Sequence, residues 1–127
     1  MSAEQQIQQA HRRIYHADVM MDEITQLDGI AAQLMAVQRH WRDSDRAENL
    51  TTALSASRAV WQNIQDALAD GSMMLPPDVQ HNVLILSVYA DSKISACEAN
   101  PNADLLGSLI ALTRTLAGSL KEWRVAA

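Results

Sequence analysis

The sequence predicts an all-α protein: a small antiparallel bundle of four to five helices that forms a single domain over residues 1–127. Hydrophobic residues make up 48% of the chain, but aromatic residues make up only 4%, with no Phe and four glycines. This composition disfavours an all-β fold, which needs turn glycines and strands rich in β-branched and aromatic residues. Apolar residues recur instead at spacings of three and four, as on one face of a helix. The intervals between these stripes are short, which is typical of antiparallel neighbours in a bundle.

The first apolar stripe covers residues 3–42 and predicts one N-terminal helix or a pair of helices. Its members are Ile7, Ala10, Ile14, Ala17, Met21, Ile24, Ala31, Leu34, Met35 and Trp41. Asp18 and Asp22 lie along this stripe, and Asp is among the residues that favour the N-cap of a new helix. We therefore favour a break or kink near residues 17–22.

The second helix is predicted at about residues 45–70. Ser44 is a suitable N-cap, and Asp45 with Glu48 resembles a capping box that uses Asp in place of Ser or Thr. The apolar stripe of this helix is formed by Ala47, Leu50, Leu54, Ser57, Trp61, Ile64 and Leu68. Gly71 follows Asp70 and suits the left-handed position that commonly ends a helix.

The third helix is predicted at about residues 76–99, where Pro76 and Pro77 fit the first turn because no amide partner is lost there. Its stripe is formed by Val79, Val83, Leu86, Ala90, Ile94 and Cys97. Leu84, Ile85 and Val88 widen the apolar surface well beyond one face. A helix that is apolar on most of its surface is usually buried, so we expect this helix to be the central one.

The fourth helix is predicted at about residues 101–124, with Asn100 as the N-cap and Pro101 at the first helical position. Its stripe is formed by Leu105, Leu109, Leu112, Leu116, Leu120 and Trp123. Arg114, Lys121 and Arg124 fall in its C-terminal half, where basic side chains complement the helix dipole.

Charge and hydropathy exclude several classes of function. The formal net charge is −5, and the densest basic site is the pair Arg12-Arg13. Binding to phosphate backbones needs clustered Lys and Arg, so this pattern disfavours direct nucleic-acid binding. The longest apolar run, Val83–Ala90, falls far short of the ~20 residues that a membrane-spanning helix needs. The N-terminus is polar and does not resemble a signal peptide, so we expect a cytoplasmic protein.

No pattern in the sequence predicts catalysis, a cofactor or a metal. The histidines, His11, His16, His40 and His81, do not have ligand spacing. Cys97 is the single cysteine, which excludes an internal disulfide and zinc sites with two or four Cys ligands. We expect it to be a small buried hydrophobe, with a reactive or intermolecular thiol as the alternative. We therefore predict a non-enzymatic protein.

Candidate partner-binding residues are Arg58, Trp61, Met73, Met74 and Arg114. Arg58 lies three residues before Trp61 on the same side of a helix, and an Arg presented with an aromatic is typical of interface anchors. The alternative is that Arg58 and Arg114 lie along the helix surface or pair with an Asp. Met73 and Met74 form an adaptable apolar contact or else cover the loop.

Gly29, Gly107 and Gly118 are isolated within helical patterns. Gly costs about 1 kcal/mol relative to Ala in a helix interior, so each position needs a reason. We favour close packing between helices, and the approach of a partner is the alternative.

Three segments occur in an order that is typical of one known family. They are Ala53-Leu54 with Ser57-Arg58 and Trp61, then Leu75-Pro76 with Asn82, Leu84 and Leu86-Ser87, then Leu109-Ile110 with Arg114 and the run from Leu116 to Leu120. In this order the chain resembles the FlaF family of bacterial flagellar biosynthesis regulators over roughly residues 50–120. Ser57-Arg58 and Thr113-Arg114 stand where the family typically has Asn-Arg.

The resemblance implies a cytoplasmic protein that promotes flagellin production and filament assembly after transcription, together with a partner regulator, FlbT. It also implies flagellin as a client, whose terminal segments are amphipathic and disordered before assembly. We therefore expect a flagellin-binding adaptor or chaperone whose groove takes up such a segment. The N-terminal stripe of Ile7, Ile14, Met21 and Ile24 would cover this groove when it is empty. The alternatives are a regulator that acts through a partner protein or flagellin mRNA, and an unrelated helical interaction domain.

Overall fold

The protein is a bundle of four helices. The computed structural model describes the backbone of residues 3–126 and the side chains of residue 3 and residues 19–124. The helices are α1 (Ala3–Arg39), α2 (Arg46–Ala69), α3 (Pro77–Ala99) and α4 (Ala103–Ala126), and the described backbone contains no strand. The predicted all-α bundle is confirmed, and the predicted bounds of the last three helices differ from the observed ones by at most two residues.

The N-terminal stripe forms one continuous helix, so the expected break near residues 17–22 is wrong, and the alternative of a kink there stays a prediction. The side chain of Asp22 is exposed, and an Asp in solvent is tolerated within a helix even though it favours caps. The N-terminal residues that were expected to cover an empty groove lie only partly within the described side chains. Ile7 and Ile14 lie outside the described side chains, Met21 is 44% exposed, and Ile24 is buried in the core.

Each helix packs against two neighbours. α1 contacts α2 and α4, and α3 contacts the same two helices, so α1 and α3 lie diagonally opposite each other. Nζ of Lys121 on α4 lies 3.0 Å from Oδ2 of Asp28 on α1, and Gly107 lies beside Gln38 near the other end of this pair. α1 and α4 are therefore antiparallel, as in an up-and-down bundle.

The core receives apolar side chains from all four helices. Its fully buried members include Leu27, Leu34, Leu54, Ile64, Ile94, Leu106, Leu109, Leu116 and Leu120. Two buried hydroxyls are satisfied within their own helices, because Ser57 donates to the carbonyl of Ala53 and Thr113 to that of Leu109, both at 2.8 Å. Cys97 is fully buried too, as expected for a small hydrophobe. The core thus contains polar groups without leaving these hydroxyls unpaired.

Two of the predicted N-caps differ from the observed ones. The side chain of Asp45 makes no capping hydrogen bond at the start of α2, and Ser44 donates to Asp45 Oδ1 at 3.0 Å instead. At α4 the cap is Asn102, whose Oδ1 accepts the backbone N–H groups of residues 104 and 105 at 2.7 and 3.2 Å. Asn100 is held extended, with a φ of −146°, because a residue that precedes Pro disfavours the helical region.

The other end signals match the prediction. Pro77 opens α3 at the first helical position, and Gly71 adopts a φ of +80° after the end of α2. Of the glycines within helices, only Gly107 marks close packing, because a Cβ there would lie 3.4 Å from Nε2 of Gln38. A Cβ at Gly29 or Gly118 would have no neighbour within 4 Å among the described residues, so the packing explanation is wrong at those two positions.

The expectation that α3 is the central helix is also wrong. α3 contacts α2 and α4 through one face, which buries Val83, Ala90 and Ile94. The additional apolar side chains of α3 point to solvent, because a bundle in which each helix has two neighbours leaves every helix an outer face. The wide apolar surface of α3 is therefore divided between the core and the outside of the bundle.

Candidate functional site

Arg58 is held by α3 rather than left free on α2. Its Nη1 and Nη2 donate to the two carboxylate oxygens of Glu98 at 2.9 and 2.7 Å, and Nη2 also donates to Ser95 Oγ at 3.1 Å. Its Nε lies 3.6 Å from Oδ1 of Asp91. Asp91, Ser95 and Glu98 follow one another at helical spacing on α3, so one guanidinium joins two turns of α3 to α2. The structure thus favours the alternative in which Arg58 pairs with acidic residues.

This contact shifts the pKa of both partners. The hydrogen bonds to Glu98 raise the pKa of Arg58, and the same hydrogen bonds lower the pKa of Glu98 below its ordinary value. Both side chains remain about 40% exposed, so solvent screens the attraction between them. The pair therefore orients α2 and α3 more than it stabilises the fold.

Trp61 lies one turn after Arg58 and is only 2% exposed. Its ring forms part of the wall between α2 and α3, beside a shallow cleft of about 200 Å³ that also borders Arg58 and Val88. Its Nε1–H is buried and has no hydrogen-bond partner among the described residues. Nearby, Nε2 of Gln65 donates to Ser87 Oγ at 2.8 Å. In this conformation Trp61 contributes to the core rather than to the exposed surface.

The two methionines of the α2–α3 loop have different environments. Met73 is 2% exposed and packs into the core, and its backbone N–H donates to the carbonyl of Ala67 at 3.1 Å. Met74 is 70% exposed. Asp70 fixes the start of this loop by accepting hydrogen bonds from the backbone N–H and the hydroxyl of Ser72, which lower the pKa of Asp70. Only Met74 of this pair is available for contact with another molecule.

Arg114 is exposed on α4 and makes no ion pair with another described residue. α2 and α4 are diagonally opposite, so Arg114 does not share a surface with Arg58 and Trp61. The five candidate residues therefore do not converge. Arg58 and Trp61 belong to the contact between α2 and α3, the methionines belong to the adjoining loop, and Arg114 lies on another helix.

α3 carries an exposed apolar surface that was not among the predicted binding residues, and we call it the α3 ridge. It consists of Leu84, Ile85, Val88 and Tyr89, which are 39%, 42%, 67% and 57% exposed. The spacing of one, three and one residues places all four on the same outer face of the helix. Leu84, Ile85 and Val88 widen the apolar stripe in the sequence, but apolar character alone does not distinguish a face buried in the core from a face exposed to solvent.

A groove between α3 and α4 borders the α3 ridge. It has a volume of about 440 Å³, and its walls are formed by Tyr89, Lys93, Ser108, Ala111, Leu112 and Thr115. Lys93 is the single charged residue among them. Together with the smaller cleft beside Val88, which is lined in part by the paired Arg58 and Asp91, this groove gives the ridge a depression on each side.

The buried carboxyl of Glu23 on α1 is a further unusual group. Glu23 is 7% exposed, and its Oε2 has no hydrogen-bond partner among the described residues. Burial raises the pKa of Glu23, with a further contribution from the neighbouring charge of Asp22. Such a group destabilises the fold when it is ionised.

Among the described residues, no group of three or more His, Cys, Asp or Glu side chains is arranged to hold a metal ion. The described helices also include none with the length and apolar character needed to cross a membrane.

Comparison with known proteins identifies the family. The family model described as flagellar protein FlaF matches residues 5–120, which is most of the chain. No curated protein and no solved structure shows a significant match. The order of segments from Ala53 to Leu120 and the match over nearly the whole chain agree, and this helical bundle therefore belongs to the FlaF family of flagellar proteins.

Proposed function

We propose that this protein is a non-enzymatic, cytoplasmic adaptor or chaperone that binds flagellin and promotes its synthesis or export after transcription. The observation that carries this proposal is that a member of a flagellar family keeps four large apolar side chains exposed on a well-packed bundle. Contiguous exposed apolar surface on a soluble domain commonly marks a binding site for another protein. The amphipathic terminal segments of flagellin are clients of matching chemistry.

The candidate residues divide into two roles under this proposal. Met74 and Arg114 are exposed and contact the client. Arg58, Trp61 and Met73 support the scaffold, because they are hydrogen-bonded between helices or buried. Substitution of Met74 or Arg114 with Ala should therefore weaken the client complex without unfolding the bundle, and a FlbT-type regulator is a second partner to include in the same assay.

The direct test is co-expression with flagellin from the same bacterium, followed by size-exclusion chromatography. We expect one shared peak of fixed stoichiometry. Flagellin that lacks its terminal segments is the matched control and should elute separately. Separate peaks with intact flagellin, both in buffer and in lysate, would contradict the proposal.

The alternative, action on flagellin mRNA, makes a different prediction. A protein that neutralises phosphates binds RNA with an affinity that falls steeply with added salt. The net charge of −5 argues against such binding, because an acidic chain with few Lys and Arg residues attracts a phosphate backbone poorly. Salt-sensitive binding of the flagellin leader RNA, together with no flagellin complex, would replace the adaptor proposal with this alternative.

A further inference from the structure

We propose that the α3 ridge docks one amphipathic helix of a partner protein, and that basic residues flank the apolar stripe of that helix. The inference goes beyond the proposed function, because it concerns the chemistry of the docked segment and holds whether or not the partner is flagellin. It rests on the exposure of the ridge, its area and the distribution of charge around it.

The exposed side chains of the ridge are too many and too close together to be scattered surface residues. Leu84, Ile85, Val88 and Tyr89 lie within six consecutive positions of one helix and are 39–67% exposed. Their exposed area amounts to roughly 400 Å², which is in the range of the largest apolar patches on monomeric proteins. The ridge thus holds four of the six large hydrophobic side chains that are exposed among the described residues.

The area also indicates what kind of partner fits. A stable interface between two proteins buries about 800 Å² on each partner, so the ridge alone supplies only about half of one side of a homodimer. One amphipathic helix presents a stripe of apolar anchors of about this extent. The groove of about 440 Å³ beside Tyr89 and Leu112 gives such a helix a place for the edge of its stripe.

The charges near the ridge indicate which residues flank the apolar stripe of the docked helix. α3 carries three acidic residues and one basic residue, which gives this helix a net charge of −2. Its acidic side chains, Asp78, Asp91 and Glu98, are exposed. Two of them, Asp91 and Glu98, share the single guanidinium of Arg58. Residues 79–90 themselves carry no Asp, Glu, Lys or Arg. An uncharged ridge on a helix of negative net charge is complementary to an apolar stripe with Lys or Arg beside it.

Synthetic amphipathic peptides test the proposal directly. Three labelled peptides of equal length share one Leu stripe and differ in their flanking residues, which are Lys, Gln or Glu. By fluorescence anisotropy at physiological salt, we expect the Lys peptide to bind about tenfold more tightly than the Glu peptide, with the Gln peptide between them. Added salt should reduce this difference.

Variants of the protein locate the binding site. Val88→Gln adds no charge and should lower the affinity for the Lys peptide about tenfold, as expected for loss of one central anchor. The matched control is Ala32→Gln, which is also exposed but lies on α1, a helix that does not contact α3. Lys93→Glu should strengthen binding of the Lys peptide, because it replaces the basic residue of the groove, which makes no ion pair with another described residue, by an acidic one. Circular dichroism confirms that each variant is folded.

Several outcomes would overturn the proposal. They are equal binding of the Lys and Glu peptides, no binding of any peptide, or equal effects of Val88→Gln and Ala32→Gln. If Val88→Gln proves unfolded, peptide-induced NMR chemical-shift changes in the wild-type protein locate the binding site instead. Chemical-shift changes confined to residues outside 84–89 would count against the ridge. A wild-type dimer that Val88→Gln dissociates, seen by light scattering, would assign the ridge to a second copy of this chain. Peptide binding at the ridge without any flagellin complex would remove the proposed function and leave this inference in place.

Discussion

Arg58 on α2 donates two hydrogen bonds to the carboxylate of Glu98 on α3, with N–O distances of 2.9 and 2.7 Å. The two residues are forty positions apart in the chain, and their contact fixes how these two helices lie against each other. An Arg that resembles an interface anchor in the sequence is thus already occupied within the bundle.

Arg58→Ala should lower the free energy of unfolding at pH 7 by no more than about 1 kcal/mol, since both side chains remain exposed and screened. Because the pKa of Glu98 is lowered in the folded protein, the pair contributes fully to stability above the ordinary carboxyl pKa. This contribution is lost as the pH falls through the pKa that Glu98 has in the folded protein. Urea unfolding at pH 7 and at pH 3 measures both effects. Arg114→Ala is the matched control and should change stability by less than about 0.5 kcal/mol. An effect of Arg58→Ala that persists unchanged at pH 3 would show that Glu98 is not its main partner.

Glu23→Gln should stabilise the protein at neutral pH. The raised pKa of Glu23 means that the folded state holds a proton more tightly than the unfolded state, so stability falls as the pH rises from about 4.5 until the folded pKa is passed. Gln removes the buried charge, and we expect a gain of about 1 kcal/mol at pH 7 that disappears at pH 4. Chemical unfolding at both pH values measures the gain. Glu122→Gln on the exposed surface is the control, and a loss of stability at pH 7 would contradict the assignment.

Trp61→Phe and Trp61→Ala should have very different effects. The indole Nε1–H has no partner among the described residues, so Phe removes an unsatisfied donor and keeps most of the ring in place. We expect Trp61→Phe to change stability by less than about 1.5 kcal/mol and Trp61→Ala to cost about 3–5 kcal/mol. Differential scanning calorimetry compares the two variants. A loss with Trp61→Phe well above this bound would indicate that the N–H group has a partner.

Met73 and Met74 provide a matched pair of neighbouring positions. Met73→Ala should cost about 2–5 kcal/mol, because it opens a cavity at a side chain that is 2% exposed. Met74→Ala should change stability by less than about 0.5 kcal/mol, because that side chain is 70% exposed. Thermal unfolding followed by circular dichroism measures both. A large loss with Met74→Ala alone would reverse the assignment of core and surface in this loop.

Gly29→Ala and Gly118→Ala should each raise the free energy of unfolding by about 0.5–1 kcal/mol, since a Cβ has open space there and Ala favours the helix. Gly107→Ala should gain less, because the side chain of Gln38 must move. Gly71→Ala should destabilise, because its φ of +80° strains any residue with a Cβ. Urea unfolding of the four variants measures their free energies of unfolding and tests this ranking. Destabilisation by Gly29→Ala would show that the position is crowded.

The structure shows which inferences a single sequence can carry. Apolar spacing predicted the helices and most of their buried positions, because that spacing is the cause of helix burial. It failed for α3, since Leu84 and Val88 have the same apolar character whether the core or a partner covers them. The N-cap of α4 is Asn102 rather than the predicted Asn100, because an Asn before Pro101 and a second Asn two residues later both meet the sequence preferences of an N-cap. The partners of Arg58 lie on another helix, and no local pattern reports them.

The burial of Cys97 turns the chain's only thiol into a reporter. A maleimide reaches that sulfur only when the end of α3 separates from the core, so its rate of alkylation measures how often this end of the helix opens. A second cysteine placed on the solvent side would react first under native conditions. Spectroscopic labels can therefore be attached one at a time, in a protein that needs no prior removal of its natural cysteine.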